Sequence, residues 1–240
     1  MNSVSNLKTI DALILCGGLG TRLRSKIGDS QKVMTAMDDR PFLDILLDDI
    51  FSQGLKRVVL CTGYQADTIE QYYRSKDFKI SIEFSREKEP LGTGGAVENA
   101  KGFVKSNPFL VFNGDSFCKI DFRKLLEFHA TSKARASIVI SKVSDHRDFG
   151  SITIDAFQKI TGFKEKTNES SRGYANCGIY CFNRDIFNLM PQEKKFSIEH
   201  DFFPKLVSLK FYGFVTESNF IDIGTPKRYE KAKQFFRKAK

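Results

Sequence analysis

No apolar run in this chain approaches the length of a membrane span. The opening MNSVSNLKTID lacks the apolar core of a signal peptide, so secretion is not expected. Cysteine is sparse and odd in number, five in 240 residues, which does not suit a disulfide framework. The expected compartment is the reducing cytoplasm, and a membrane is not an expected partner. In such a chain the Asn168-Glu169-Ser170 sequon is coincidental. Cys177 and Cys181 stand four apart in NCGIYCF without a second such pair, and they read as packing thiols. Histidine is scarcer still. His129, His146 and His200 make no metal-ligand spacing, and there is no nucleophile elbow.

Also missing are a Pro/Gly/Ser-rich linker and any internal repeat, including a six-residue β-helix repeat at the C-terminal end. At 41% hydrophobic residues, the chain can form one large domain or two closely merged halves. Acidic residues are outnumbered, 29 against 38 lysines and arginines, giving a net charge of +9. That balance favours anionic partners: nucleic acid, anionic membrane or phosphorylated small molecules. The excess is dispersed, however. Its one dense cluster, KRYEKAKQFFRKAK, spaces Tyr229, Ala232 and Phe236 for an amphipathic helix with a solvated basic face. Without an aromatic-interleaved basic strand, nucleic acid is not an expected partner.

What is present is a rhythm. Short apolar runs at 12–16, 57–61, 80–84, 109–113, 136–142, 178–182 and 211–215 read as strands. Amphipathic segments separate the early ones. DDRPFLDILLDDIFSQG has Pro41 where a first helical turn tolerates it and Gly54 as a stop. ADTIEQYYRSK and EPLGTGGAVENAKGFV follow the second and third strands. Strand and helix alternating in this way predict parallel βαβ units in an open α/β sheet, with ligands beyond the carboxyl ends of the strands. After Asn113 the rhythm changes. FGSITID and ITGFKEK read as a hairpin, TNESSRG as a polar loop, and the second half as the other wall of a cleft.

The stretch LILCGGLGTRLRS leaves a buried strand and at once presents bare backbone and positive charge. Gly17, Gly18 and Gly20 let amides approach a ligand, and amides at a strand end can form an anion-binding nest. Arg22 and Arg24 add forked charges suited to phosphate oxygens. Neither G-x-G-x-x-G in register nor the Gly-Lys-Ser/Thr of a P-loop is present. In VFNGDS a second strand ends in a carboxylate, Asp115, and FIDIGTP offers another, Asp222. Each alone is an ordinary turn or cap residue. Beside a phosphate loop they read as a pair for a hard cation such as Mg²⁺, which takes one or two protein carboxylates and shares the rest with phosphates and water. A phosphate oxygen attacking another phosphorus is already anionic and needs no general base, so the missing histidines fit.

These pieces, in order, resemble the sugar-nucleotide pyrophosphorylases, the nucleotidyltransferases that act on sugar 1-phosphates. The resemblance runs through LCGGLGTRLRS, Lys32, EPLGTGGAV, FNGDS, FGSI, FKEK, NCGIYCF, SIEHDFFPKL and FIDIGTPKRYEKA. It implies a single nucleotidyltransferase domain over 1–240, with an open, mostly parallel, Rossmann-like (GT-A-like) sheet, helices on both faces and a small antiparallel sugar-binding subregion. Residues 1–115 form the nucleotide half, and 116–240 the sugar-phosphate half with a C-terminal helix. It implies catalytic roles for Arg22, Lys32 and Asp115, with Lys32 between the phosphates, and Mg²⁺ on Asp115 and Asp222. Leu15, Gly17, Gly18, Gly20, Thr21, Glu87, Leu91, Gly92, Thr93 and Asn113 would bind the nucleotide, with Leu91, Gly92 and Thr93 shaping the base pocket. Gly150, Glu165, Asn176 and Gly178 would face the sugar, with Lys166 on its phosphate; Gly150 and Gly178 read equally as turn and strand glycines. The implied substrates are GTP and a heptose 1-phosphate, with pyrophosphate released. Relatives commonly flank the loop lysine with prolines. DSQKVMT does not, which predicts a more mobile loop.

Other readings stay open on sequence. UTP with N-acetylmuramate 1-phosphate, or CTP with phosphocholine, would keep the fold and change the substrates. A catalytically silent nucleotide-binding regulator is a third reading, though it would have no need to retain Arg22, Lys32, Asp115 and Asp222 together. Oligomeric state, a homodimer included, is not specified. For the base, Glu87 and Glu89 are the candidate acceptors for guanine, and the offset from Gly92 favours Glu87.

Overall fold

The computed structural model describes residues 6–76, 80–143, 151–164 and 173–238. In chain order it holds β1 (Asp11–Leu15), α1 (Arg24–Ile27), the short strands β2 (Ala36–Met37) and β3 (Arg40–Pro41), and α2 (Phe42–Ser52). Next come β4 (Arg57–Thr62), α3 (Ala66–Arg74), β5 (Ser81–Arg86), α4 (Gly92–Asn99), β6 (Phe109–Asn113), β7 (Ser116–Cys118) and α5 (Phe122–Thr131). The remainder is β8 (Ala136–Val143), β9 (Ser151–Ile154), β10 (Ile160–Lys164), β11 (Gly173–Phe182), α6 (Phe203–Leu206), β12 (Phe211–Thr216), β13 (Phe220–Asp222) and α7 (Pro226–Lys238).

β1 lies between β4 and β6, parallel to both, and β5 extends the sheet beside β4. β11 runs antiparallel to β6 and β8, and β12 lies parallel to β8. Of this run of strands only β11 opposes the common direction, so the sheet is open and mostly parallel. The hairpin expected from FGSITID and ITGFKEK is β9–β10, and β9 joins β11 at Tyr174.

Strands buried on both faces need cover on both, and the alternation along β1 supplies it. Ala12 and Ile14 face a core shared with residues of α2, α3, α5 and α7, while Leu13 faces one shared with α4 and the 186–206 segment. α2 forms because Phe42, Leu43, Leu46, Leu47 and Ile50 recur at helical spacing and are all buried. Pro41 caps it from just outside, and Gly54, at φ +104°, ends it with its N–H on Phe51 O at 2.9 Å. The basic C-terminal stretch is α7, whose Ala232 is buried while Tyr229, Phe235 and Phe236 pack on the core. All five cysteines are buried free thiols.

The strand expected over 178–182 starts earlier, at Gly173. A bulge between Asn176 and Tyr180 interrupts its pairing with β8, and Gly178 sits there at φ +71°. The side-chain alternation breaks at the bulge, which hides the first half of the strand from a pattern reading. Among the described residues, no helix is long and apolar enough to cross a membrane.

Candidate active site

Beyond the carboxyl ends of β1 and β6 lies a cleft of about 470 Å³. The register pairs Leu15 with Asn113, so the glycine loop and the Gly114-Asp115 turn leave the sheet side by side. Gly114 N–H donates to Leu15 O at 3.0 Å, and a Cβ on Gly114 would sit 2.5 Å from that oxygen. Only glycine fits there. Leu15, Gly17, Gly18, Gly20, Thr21, Lys32, Glu87, Gly92, Thr93, Asn113 and Asp115 all line the cleft. Of the residues expected around the nucleotide, Leu91 alone faces elsewhere. It lines a separate hollow of about 700 Å³ on the far side of α4, together with Glu89.

At one end of the cleft five charged groups converge. Lys32 Nζ forms an ion pair with Asp115 Oδ2. Burial pushes the Asp115 carboxyl up, but the Lys32 ammonium beside it outweighs that and holds it below the usual range. β13 pairs with β7, setting Asp222 opposite Ser116, and Ile223 N–H donates to Asp115 O at 3.0 Å. The two aspartates are thereby brought together from positions far apart in sequence. Asp222 accepts both contacts of Arg228 Nη1, at 2.8 and 3.1 Å, and the Gly224 N–H at 2.7 Å. A Cβ on Gly224 would lie 2.8 Å from Asp222 Oδ1, 3.6 Å from Lys32 Nζ and 3.8 Å from Arg22 Nη2. Arg22 thus stands at the same spot.

The loop that carries Lys32 is tethered by an amide side chain. Gln31 is buried, its Nε2 donates to Cys16 O, and its Oε1 accepts Val33 N–H at 2.7 Å. This side chain ties both the glycine loop and the turn at Val33.

At the other end Glu87 lies against the glycine loop. A Cβ on Gly17 would meet Glu87 Oε1 at 2.6 Å, so the glycine makes room for the carboxylate. Glu87 Oε2 accepts Leu91 N–H at 2.9 Å. Burial raises the Glu87 carboxyl above its ordinary value, and the Leu91 N–H only partly offsets this. The glycines of PLGTGG serve a further purpose: Gly94 N–H donates to Phe196 O at 2.9 Å, and a Cβ on Gly92 would sit 2.5 Å from that oxygen. They admit the 194–196 segment across the start of α4.

Gly178, expected to face the sugar, is more than a strand glycine. Besides its positive φ, a Cβ there would stand 3.0 Å from Asn113 Cβ. Its N–H donates to Asn176 Oδ1 at 2.7 Å. Gly150, Glu165 and Lys166 lie outside the described residues, as do His146 and the sequon at 168–170. Gln31, which lines the cleft, and Arg228, Tyr180 and Glu199, which contact Asp222, Asn113 and Thr93, were not expected from sequence. Only Gln31 left a signal, as the residue beside the loop lysine.

The family model described as "Nucleotidyl transferase" matches residues 11–239. The chain is 38% identical over 226 residues to D-glycero-alpha-D-manno-heptose 1-phosphate guanylyltransferase of Aneurinibacillus thermoaerophilus, covering 94% of this chain and 97% of that one. It is 37% identical to the protein of the same name in Campylobacter jejuni, over 92% of this chain and 97% of the relative. Among solved structures, HddC from Yersinia pseudotuberculosis complexed with GMP-PN matches with a TM-score of 0.83 at 37% identity, covering 95% of this chain and 99% of that one.

Proposed function

The chain belongs to the nucleotidyl transferase family, and on that premise we propose that it transfers GMP from GTP to a heptose 1-phosphate, releasing pyrophosphate. The observation that carries this is the two-ended cleft, with cations and paired aspartates at one end and a half-buried glutamate at the other. The relatives' guanylyl and heptose specificities support the choice of substrates. In this reading 1–240 is one catalytic unit, with the nucleotide held by the 1–115 half and the sugar phosphate by the rest, and it works in the cytoplasm.

A sugar-phosphate oxygen attacks the α-phosphorus of GTP, a new O–P bond forms, and the bond to the β-phosphate oxygen breaks. The nucleophile is already anionic, so no side chain has to remove a proton. The chain's task is to hold two polyanions together. The glycine loop and Arg22 would take the triphosphate, while Lys32 would meet negative charge as it builds between the phosphates.

The donor set fits Mg²⁺: Asp115 and Asp222 are hard oxygen ligands brought together by the pairing of β13 with β7. When bound, the ion would supply electrostatic screening between the phosphates.

The test is a pyrophosphate-release screen of GTP, UTP, CTP and ATP against a panel of sugar 1-phosphates and phosphocholine. GTP with heptose 1-phosphate should give the highest kcat/KM. A preference for UTP or CTP would overturn the guanylyl reading, and nucleotide binding without turnover on any acceptor would favour the silent regulator.

A further inference from the structure

Three hydroxyls around Glu199 each have one hydrogen to give, and each gives it to the same carboxylate. The Thr93 hydroxyl accepts Ile198 N–H at 2.9 Å, so its own hydrogen is free to go to Glu199 Oε2 at 2.7 Å. Ser197 Oγ accepts the N–H groups of Glu199 and His200, both at 3.2 Å, and donates to Glu199 Oε2 at 2.9 Å. The buried Tyr180 hydroxyl donates to Glu199 Oε1 at 3.1 Å. An ionised carboxylate can only accept, so these directions are forced.

The consequence passes through Tyr180. With its hydrogen committed, the Tyr180 oxygen can only accept, and it takes Asn176 Nδ2 at 2.8 Å and Asn113 Nδ2 at 3.3 Å. The Asn176 amide is then turned so that its oxygen receives Gly178 N–H. Asn113, which lines the nucleotide cleft, keeps a buried Oδ1 with no partner. A neutral network would flip that amide and lose nothing; a network whose direction is imposed from Glu199 cannot.

We propose that Glu199 is a positioning residue which, through Tyr180, sets the hydrogen-bond direction of Asn113 and Asn176, the two amides standing between the nucleotide cleft and the sugar side. Its role as a kinetic determinant rests on the function proposed above; its control of the amides does not. Glu199 also ties α4, through Thr93, to β11, through Tyr180, so one carboxylate aligns both halves of the site.

Three variants separate direction from mere bracing. Glu199→Gln keeps the shape and loses the acceptor-only character. Its amide oxygen best serves Thr93 and Ser197, which leaves its NH₂ facing Tyr180 and turns the tyrosine hydrogen back toward the asparagines. Glu199→Asp keeps the charge and shortens the reach. Tyr180→Phe removes the relay. NMR of the asparagine side-chain amides, without substrate, should show the Asn113 and Asn176 resonances moved more by Glu199→Gln than by Glu199→Asp. The reverse order, or unmoved resonances in Glu199→Gln, overturns the proposal in favour of simple bracing.

In the transfer assay, Glu199→Gln and Tyr180→Phe should each raise the KM for the sugar 1-phosphate about tenfold, the loss of roughly one good hydrogen bond. The KM for GTP, for which Asn113 and Thr93 are two of many cleft residues, should rise less than that for the sugar 1-phosphate, and the double variant should be no worse than Tyr180→Phe alone, since neighbours acting in series are not additive. Additive losses would mean that Glu199 acts independently of Tyr180, and the proposal fails. Should Glu199→Gln not fold, Tyr180→Phe must still give the KM pattern; an unchanged KM overturns the relay. If the wild type turns over no substrate, the function falls while the NMR experiment still decides the direction.

Discussion

At the end of the cleft proposed for the phosphates each carboxylate faces a cation, Asp115 with Lys32 and Asp222 with Arg228, whereas at the end proposed for the base Glu87 is pressed against glycine backbone and takes a peptide N–H. The two environments move the Asp115 and Glu87 carboxyls in opposite directions. Burial acts on both Asp115 and Glu87, but at Asp115 the neighbouring ammonium wins and at Glu87 burial does. One end is therefore fixed in its charged form before any ligand arrives. The other holds its charge at some cost, which suits a group that reads neutral N–H donors rather than one that opposes phosphates.

The sharpest way to break this contrast is to discharge the phosphate end. Asp115→Asn and Asp222→Asn keep the side-chain shape and remove the charge, and kcat should fall by about 10²–10³, the scale of losing one electrostatic stabiliser. In Asp222→Asn, Arg228 is also left without its carboxylate. Steady-state turnover at limiting Mg²⁺ checks both, and near-wild-type activity in Asp222→Asn rejects its assignment to the metal. Lys32→Met should likewise lower kcat more than it raises the KM for GTP. If only KM moves, Lys32 binds and does nothing more.

The base end is broken by Glu87→Gln. Guanine presents two adjacent donors, and a carboxylate accepts both while an amide cannot. Leu91 N–H uses one lone pair of Oε2 and leaves capacity on both oxygens. The ratio of kcat/KM for GTP over UTP should fall by roughly 30- to 150-fold, equivalent to about 2–3 kcal/mol for a charge-assisted contact. An unchanged ratio would shift recognition to backbone groups. Glu89 is a poorer second choice, because it lines the hollow beyond α4.

A smaller effect belongs to the loop that joins the ends. Gln31→Ala removes the bonds to Cys16 O and Val33 N. Each is worth about 1 kcal/mol, so kcat should drop around tenfold and the unfolding midpoint by several degrees. A variant that loses stability but keeps kcat would show that Lys32 finds its place unaided.

Much of this was legible in the chain, and what was missed has a common cause. The glycine loop, the Gly114-Asp115 turn and the helix ends are local, so residue type alone declares them. Asp222 was legible as a carboxylate after an apolar run, but its partner Arg228 was hidden in a stretch whose basic residues read as a solvated face. Thr93 and Glu199 meet across 106 positions, Asn113 and Tyr180 across 67. No periodicity encodes such pairs; the sheet order that sets β11 beside β6 brings Asn113 to Tyr180, and the packing of the 198–202 segment on α4 brings Glu199 to Thr93. The role of Gln31 was not legible for a different reason: its two hydrogen bonds, to Cys16 O and from Val33 N–H, depend on where the glycine loop passes.

The gentlest test of the contrast uses pH and leaves the sequence intact. Glu87 carries a carboxyl raised above the ordinary glutamate range, with burial the main cause. Guanine recognition needs the ionised form, so the KM for GTP should rise as pH falls through that raised value, by a few-fold within the pH range the protein tolerates. Any UTP use should not follow, and Glu87→Gln should lack this acid limb altogether. The stability effect has the opposite sign. Between the unfolded and folded pKa values the folded state binds more protons, so Glu87's unfavourable contribution shrinks as pH falls and grows as pH rises. Thermal unfolding of wild type and Glu87→Gln across the same range would show it, the variant gaining relative stability toward neutral pH. Binding that weakens in acid while this contribution to the fold strengthens is the mark of a carboxylate kept ionised for a ligand; if both weaken together, Glu87 is a structural charge and the base is read elsewhere.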